Sequence, residues 1–162
     1  MKTKTQLPEK PVTAPAQGLL YFALDRSRKE ATPARFELVG QALTLIRDKR
    51  LRKQFQDWAA DLRKAQEALD RYAVSLRESN VKLAPRSVKR QMLDSCFAHM
   101  EGSSLSDKYW YVSYVASSLA PHLNDAAYAQ NWRRCDQMVR AVEERFNLLL
   151  QKLYSPPSAQ AR

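Results

Sequence analysis

Arg47, Lys49, Arg50, Arg52 and Lys53 place five cations within seven residues, interrupted only by Asp48 and Leu51. On a helix these positions point in several directions, so a single neighbouring helix cannot neutralise them all. A cluster of this kind suits a polyanion, because each phosphate it neutralises releases condensed counterions. The competing explanation is an exposed junction that charge keeps out of the core. Lys82, Arg86, Lys89 and Arg90 form a second group with no acidic residue between its members. They span a loop and the first turn of a helix, where the dipole mildly disfavours cations and a bound anion would offset the cost. Arg133 and Arg134, directly after Trp132, complete the candidate nucleic-acid contacts. Arg26, Arg28 and Lys29 close another helix, where positive charge suits the dipole and implies no ligand.

Other chemistries have less to stand on. Cys96 and His99 are three apart, and His122 and Cys135 complete four zinc-competent side chains. Structural zinc favours two short ligand pairs, and only one exists, so two core thiols and two ordinary histidines are expected and no metal or other cofactor. There is no P-loop, no G-x-S-x-G and no HExxH. The acidic pairs Glu143–Glu144 and Asp57–Asp61 read as solvated helix faces. An enzyme is not expected. The aromatic run Tyr109, Trp110, Tyr111 and Tyr114 resembles a base-stacking platform, but such platforms interleave cations. A helix buried all round explains it better, and it also argues against a helix-turn-helix built on the turn at Gly102, whose recognition helix would need polar groups.

Elements that could position these residues follow from periodicity. Three glycines in 162 residues leave few turns, and Ala, Leu, Gln, Arg and Lys favour helix. Gly18–Glu30 reads as a short helix. Thr32, followed by Pro33, reads as the N-cap of a second carrying Phe36, Val39, Leu43 and Ile46. The phase then slips by five residues to Leu51, which implies a kink or break near residues 48–50. Beyond it runs a strict seam, Leu51, Phe55, Trp58, Leu62, Ala65, Leu69, Tyr72 and Leu76, stepping 4, 3, 4, 3, 4, 3, 4. Ser87 is placed to cap a helix that Gly102 ends, and Ser104 or Ser106 to cap the apolar helix up to Pro121. Asn124 is the expected cap of a last helix with a second seam of the same stepping, Tyr128, Trp132, Cys135, Val139, Val142, Phe146, Leu149 and Leu153. The expected fold is all-α: a helical bundle with two long antiparallel amphipathic helices, about 51–78 and 125–154, plus three or four shorter ones. Residues 1–17 read as a disordered arm with proline and lysine, 18–154 as one helical domain, and 155–162 as a disordered tail.

The net charge is +10, with 16 basic and 10 acidic side chains in the first 80 residues. The excess is therefore spread along the chain. Residues 1–17 lack the apolar core of a signal peptide, and no apolar run approaches the roughly 18 residues that span a membrane. A cytoplasmic protein without a membrane partner is expected. In size, charge and helicity, though in no motif, the chain is similar to small helical subunits that line the nucleic-acid path of large nucleoprotein assemblies, CRISPR effector complexes among them. The expectation is a non-enzymatic subunit of a larger bacterial nucleoprotein complex. It would hold DNA or RNA by the backbone and meet other protein subunits or copies of itself. The alternative is an assembly or adaptor subunit whose basic surface binds an acidic protein.

Overall fold

The computed structural model describes residues 14–123 and 126–154, with side chains from residue 18 onward. Within them are α1 (Ala14–Ser27), α2 (Thr32–Leu43), α3 (Lys49–Asn80), α4 (Val88–Met100), α5 (Leu105–Leu119) and α6 (Ala126–Tyr154), with a 3₁₀ turn at Ala120–His122. The fold is all-helical. The tail and most of the expected arm, together with the expected cap Asn124, lie outside the described residues. The rest of the arm, residues 14–17, belongs to α1, so the helix starts before Gly18. Pro15 stands in its first turn, where a missing N–H costs nothing.

Both long seams face inward. Every expected position on α3 is buried, from Leu51 to Leu76. On α6 the stretch Cys135, Val139, Val142, Phe146, Leu149 and Leu153 is buried, while Tyr128 and Trp132 pack half-buried against the core. Contacts between the helices pair the start of one with the end of the other. Trp58 Nε1 donates to the Val142 carbonyl at 2.9 Å, the Cys135 thiol reaches the Ala68 carbonyl at 3.4 Å, and the Ser79 and Tyr128 hydroxyls meet at 2.9 Å. The helices α1 and α2 pack against this pair toward one end, and α4 and α5 toward the other.

The phase slip after Ile46 is a true break. α2 ends at Leu43, and Asp48 caps α3 by accepting from the Arg50 and Leu51 amides at 2.9 and 3.1 Å. Ser87 and Ser104 cap α4 and α5 in the same way. Gly102 takes φ +70°, the left-handed conformation that ends a helix at little cost. Thr32 is not a cap. Ala31 occupies that position, bridged to Ser104, and the Thr32 hydroxyl instead donates to Gln66 Oε1 on α3. Nor is α5 buried all round. It turns Leu105, Val112, Val115 and Leu119 inward and leaves Trp110 60% and Tyr114 40% exposed. A helix touching the bundle along one side buries one stripe, however apolar the rest of it is.

One charge sits inside the core. Arg35 is 1% exposed and donates to both Glu143 oxygens, at 2.7 and 3.4 Å. Its guanidinium lies over the rings of Trp58 and Phe146, at 5.1 and 4.7 Å. Glu143 is therefore half of a part-buried ion pair and not the solvated residue its spacing implies. Removing one partner of such a pair strands the other charge without water. Glu143→Ala is expected to destabilise the protein by about 3 kcal/mol. The double change Arg35→Met with Glu143→Leu is expected to cost clearly less, because no charge is left behind. Urea denaturation of the two variants checks the order.

Candidate nucleic-acid interface

The first basic cluster flanks the α2–α3 junction, and its five cations do not share one fate. Arg47, Lys49 and Arg50 are exposed. Arg52 turns back and donates through Nε, at 3.0 Å, and through Nη2 to the Ile46 carbonyl, securing the end of the connection after α2. Lys53 pairs with Asp57 at 2.8 Å one turn along. Asp48, the acidic residue within the run, is committed to capping. The cluster therefore divides into residues that build the corner and residues that face outward.

The second cluster divides likewise at the α3–α4 connection. Lys82 and Arg86 are exposed, with no carboxylate within 4 Å among the described residues. Arg90 donates to the Val81 and Leu83 carbonyls at 3.2 and 3.1 Å and lies 3.7 Å from Asp94, so it holds the loop. Lys89 Nζ stands 3.4 Å from His122 Nε2. The two clusters occupy opposite ends of α3. At 1.5 Å per residue, Lys49 and Lys82 are roughly 50 Å apart along it. They are two patches joined by a helix and not one patch.

Arg133 and Arg134 are both exposed on α6. Arg134 faces the groove between α3 and α6, where it lines a cavity with Arg71. Arg71 escapes a reading of clusters because it is a single cation among Asp70, Tyr72 and Ala73. Its recoverable signal is its place three residues after Ala68, where a small seam-edge residue leaves space. The exposure of Trp110, which stands beside Tyr114, also goes beyond the sequence reading. The rings stack at 5.9 Å with an interplanar angle of 12°, and Tyr111 beside them approaches the His99 ring at 5.8 Å.

The four zinc-competent side chains do not converge. Cys135 lies under the α3–α6 groove, and no cluster of three metal-ligating side chains occurs among the described residues. Burial raises both thiols, and at Cys135 the Arg134 and Arg71 charges oppose that rise. The Arg140 and Tyr109 hydrogen bonds hold the Asp136 carboxyl below its usual range, and burial with that same contact raises the Tyr109 phenol. No described helix is long and apolar enough to cross a membrane. Comparison with known proteins finds no matching family, no matching curated protein and no matching solved structure.

Burial pushes the Tyr72 phenol from its ordinary 10 up to about 12, and Cys135 and Tyr128 add to the shift. A raised folded-state pKa means that the folded protein holds this proton more tightly than the unfolded chain does. That stability is fully present below pH 10 and is lost as pH rises toward about 12. Wild type is expected to lose on the order of 2 kcal/mol more than Tyr72→Phe across that window. Urea midpoints at the two ends of the window measure it.

Proposed function

We propose that this chain is a non-enzymatic nucleic-acid-binding subunit, a helical bundle with α3 and α6 as its antiparallel spine, working within a larger nucleoprotein complex in the cytoplasm. The observation that carries the reading is the exposure of Lys49 and Arg50 at one end of α3 and of Lys82 and Arg86 at the other. None of the four has a carboxylate partner within 4 Å among the described residues. Surface cations that fold back onto neighbouring acids carry little field outward, whereas these four keep theirs. Their roughly 50 Å separation corresponds to about 15 base steps at 3.4 Å each. The partner is thus an extended polyanion read by charge, with little preference for base sequence. CRISPR-type effectors are one setting with a place for such a subunit.

A second reading, an assembly or adaptor subunit whose basic surface meets an acidic protein, is favoured by the exposed Trp110–Tyr114 stack on α5. Aromatic residues are enriched at protein interfaces.

Wild type is expected to bind mixed-sequence oligonucleotides at about 50 mM salt, with affinity falling steeply as salt rises. The variant Lys49→Ala, Arg50→Ala, Lys82→Ala, Arg86→Ala is expected to flatten the log–log salt slope by about 3 and to leave the oligomeric state unchanged. Fluorescence anisotropy and analytical ultracentrifugation measure the two effects. Undetectable wild-type binding at low salt sinks the proposal. Loss of a co-purifying protein in the variant, with no change in oligonucleotide affinity, selects the second reading.

A further inference from the structure

Residues seven apart on a heptad helix share a face. Gln54, Asp61, Ala68 and Ser75 form one such row on α3, and Asn131, Met138, Arg145 and Lys152 form a row on α6. Contacts between the rows show that they border the same groove. Lys152 Nζ donates to Gln54 Oε1 at 3.4 Å, and Arg145 Nη1 donates to Asp61 Oδ2 at 2.9 Å. At those two steps the groove is bridged from within, and each cation finds its acceptor across the interface.

At the next step the bridging stops. Ala68 offers only its carbonyl, which receives the Cys135 thiol. A cavity of about 270 Å³ opens there, with Ala68 and Cys135 at its base and Arg71, Ser75, Asn131 and Arg134 around it. No acidic side chain lines it. Neither arginine has a carboxylate within 4 Å among the described residues, Glu67 one turn before Arg71 included. Both guanidiniums nevertheless stand close enough to Cys135 for their charge to act on its thiol. Two like charges brought to one opening, in a groove where Arg145 and Lys152 each find an acceptor, leave a strong and unanswered positive field.

We infer that this cavity is a phosphate site in which Arg71 and Arg134 grip the group from opposite helices, with Asn131 as a neutral donor. A guanidinium presents a planar fork of N–H groups that matches phosphate oxygens bidentately, and two forks from two helices cradle a tetrahedral anion. The inference rests on the nucleic-acid reading for the source of the phosphate, a backbone diester. Arg71 lies between the two end clusters along α3, and a strand that follows this face of the helix from Lys49 to Lys82 meets the opening on its way.

The test uses the full chain as wild type, as Arg71→Ala with Arg134→Ala, and as Arg71→Lys with Arg134→Lys. Anisotropy is read with labelled single-stranded DNA and RNA of about 20 nucleotides while salt is varied. The alanine pair is expected to weaken binding about tenfold and to flatten the salt slope by roughly 0.7, one phosphate contact on a single strand. The lysine pair keeps the charge without the fork, and is expected to restore the slope but only part of the affinity. Both positions are exposed on helices that alanine and lysine favour, so unchanged circular dichroism is expected of each variant. Wild-type binding that the alanine pair leaves within twofold, with the same slope, overturns the cavity and leaves the nucleic-acid reading standing. A different outcome separates the two claims in the other direction. If wild type binds no oligonucleotide, yet about 10 mM inorganic phosphate raises its melting midpoint and not that of the alanine pair, the site stands with free phosphate as its source. If phosphate has no effect on either protein as well, both claims fall.

Discussion

Trp58 is the point through which the bundle is held. Its indole is fully buried, stacked on Phe146 at 4.4 Å, hydrogen-bonded to the Val142 carbonyl and roofed by the Arg35 guanidinium. The ring therefore touches α3, α6 and α2 at once. A buried indole needs an acceptor for its N–H, and supplying one from the backbone of α6 sets how the two long helices slide relative to each other. With that register chosen, Asp61 faces Arg145, Ala68 faces Cys135 and Ser79 faces Tyr128. The part-buried Arg35–Glu143 pair follows from the same placement, since Glu143 is the neighbour of Val142. Arg28 adds a second cation over Phe146, at 5.1 Å, and pairs with Asp25 at 2.7 Å.

The bundle sorts its cations into three kinds. Some serve the fold: Arg35 fills the core, Arg52 and Arg90 tie down loop carbonyls, and Arg63 and Arg77 lie over Phe36 and Phe97. Others are answered at the surface, such as Lys108 by Asp70 at 2.6 Å and Arg145 by Asp61. A third kind, including Lys49, Arg50, Arg71, Lys82, Arg86 and Arg134, keeps an outward charge with no carboxylate within 4 Å among the described residues. A net charge of +10 says little about binding until this sorting is known. The third kind defines what the surface offers to a partner.

Much of the architecture was legible in the chain. Helical periodicity is a local property, so the two seams, the break after Ile46, the serine caps and the left-handed glycine all follow from residues a few positions apart. Where local reading erred, a neighbour outside its range had intervened. Thr32 has the chemistry of a cap, but Gln66 claims its hydroxyl. The α5 helix is uncharged from Tyr109 to its end at Leu119, as a buried helix would be, yet too few elements surround it to cover Trp110 and Tyr114.

The candidate site was legible only in part, for the same reason. Clustered cations announce themselves along the chain, and both end clusters were visible there. Which members stay free was not, because Arg52 and Arg90 are claimed by carbonyls whose positions depend on how the loops fold back. Arg71 and Arg134 are 63 residues apart, and nothing local connects them. The sequence by itself determined where the helices run and which stripe of each is apolar, since hydrophobic burial acts on a repeat the chain carries within itself. Only the tertiary structure decided which stripes meet and at what offset. That offset places two arginines beside a small alanine and opens the cavity between the helices.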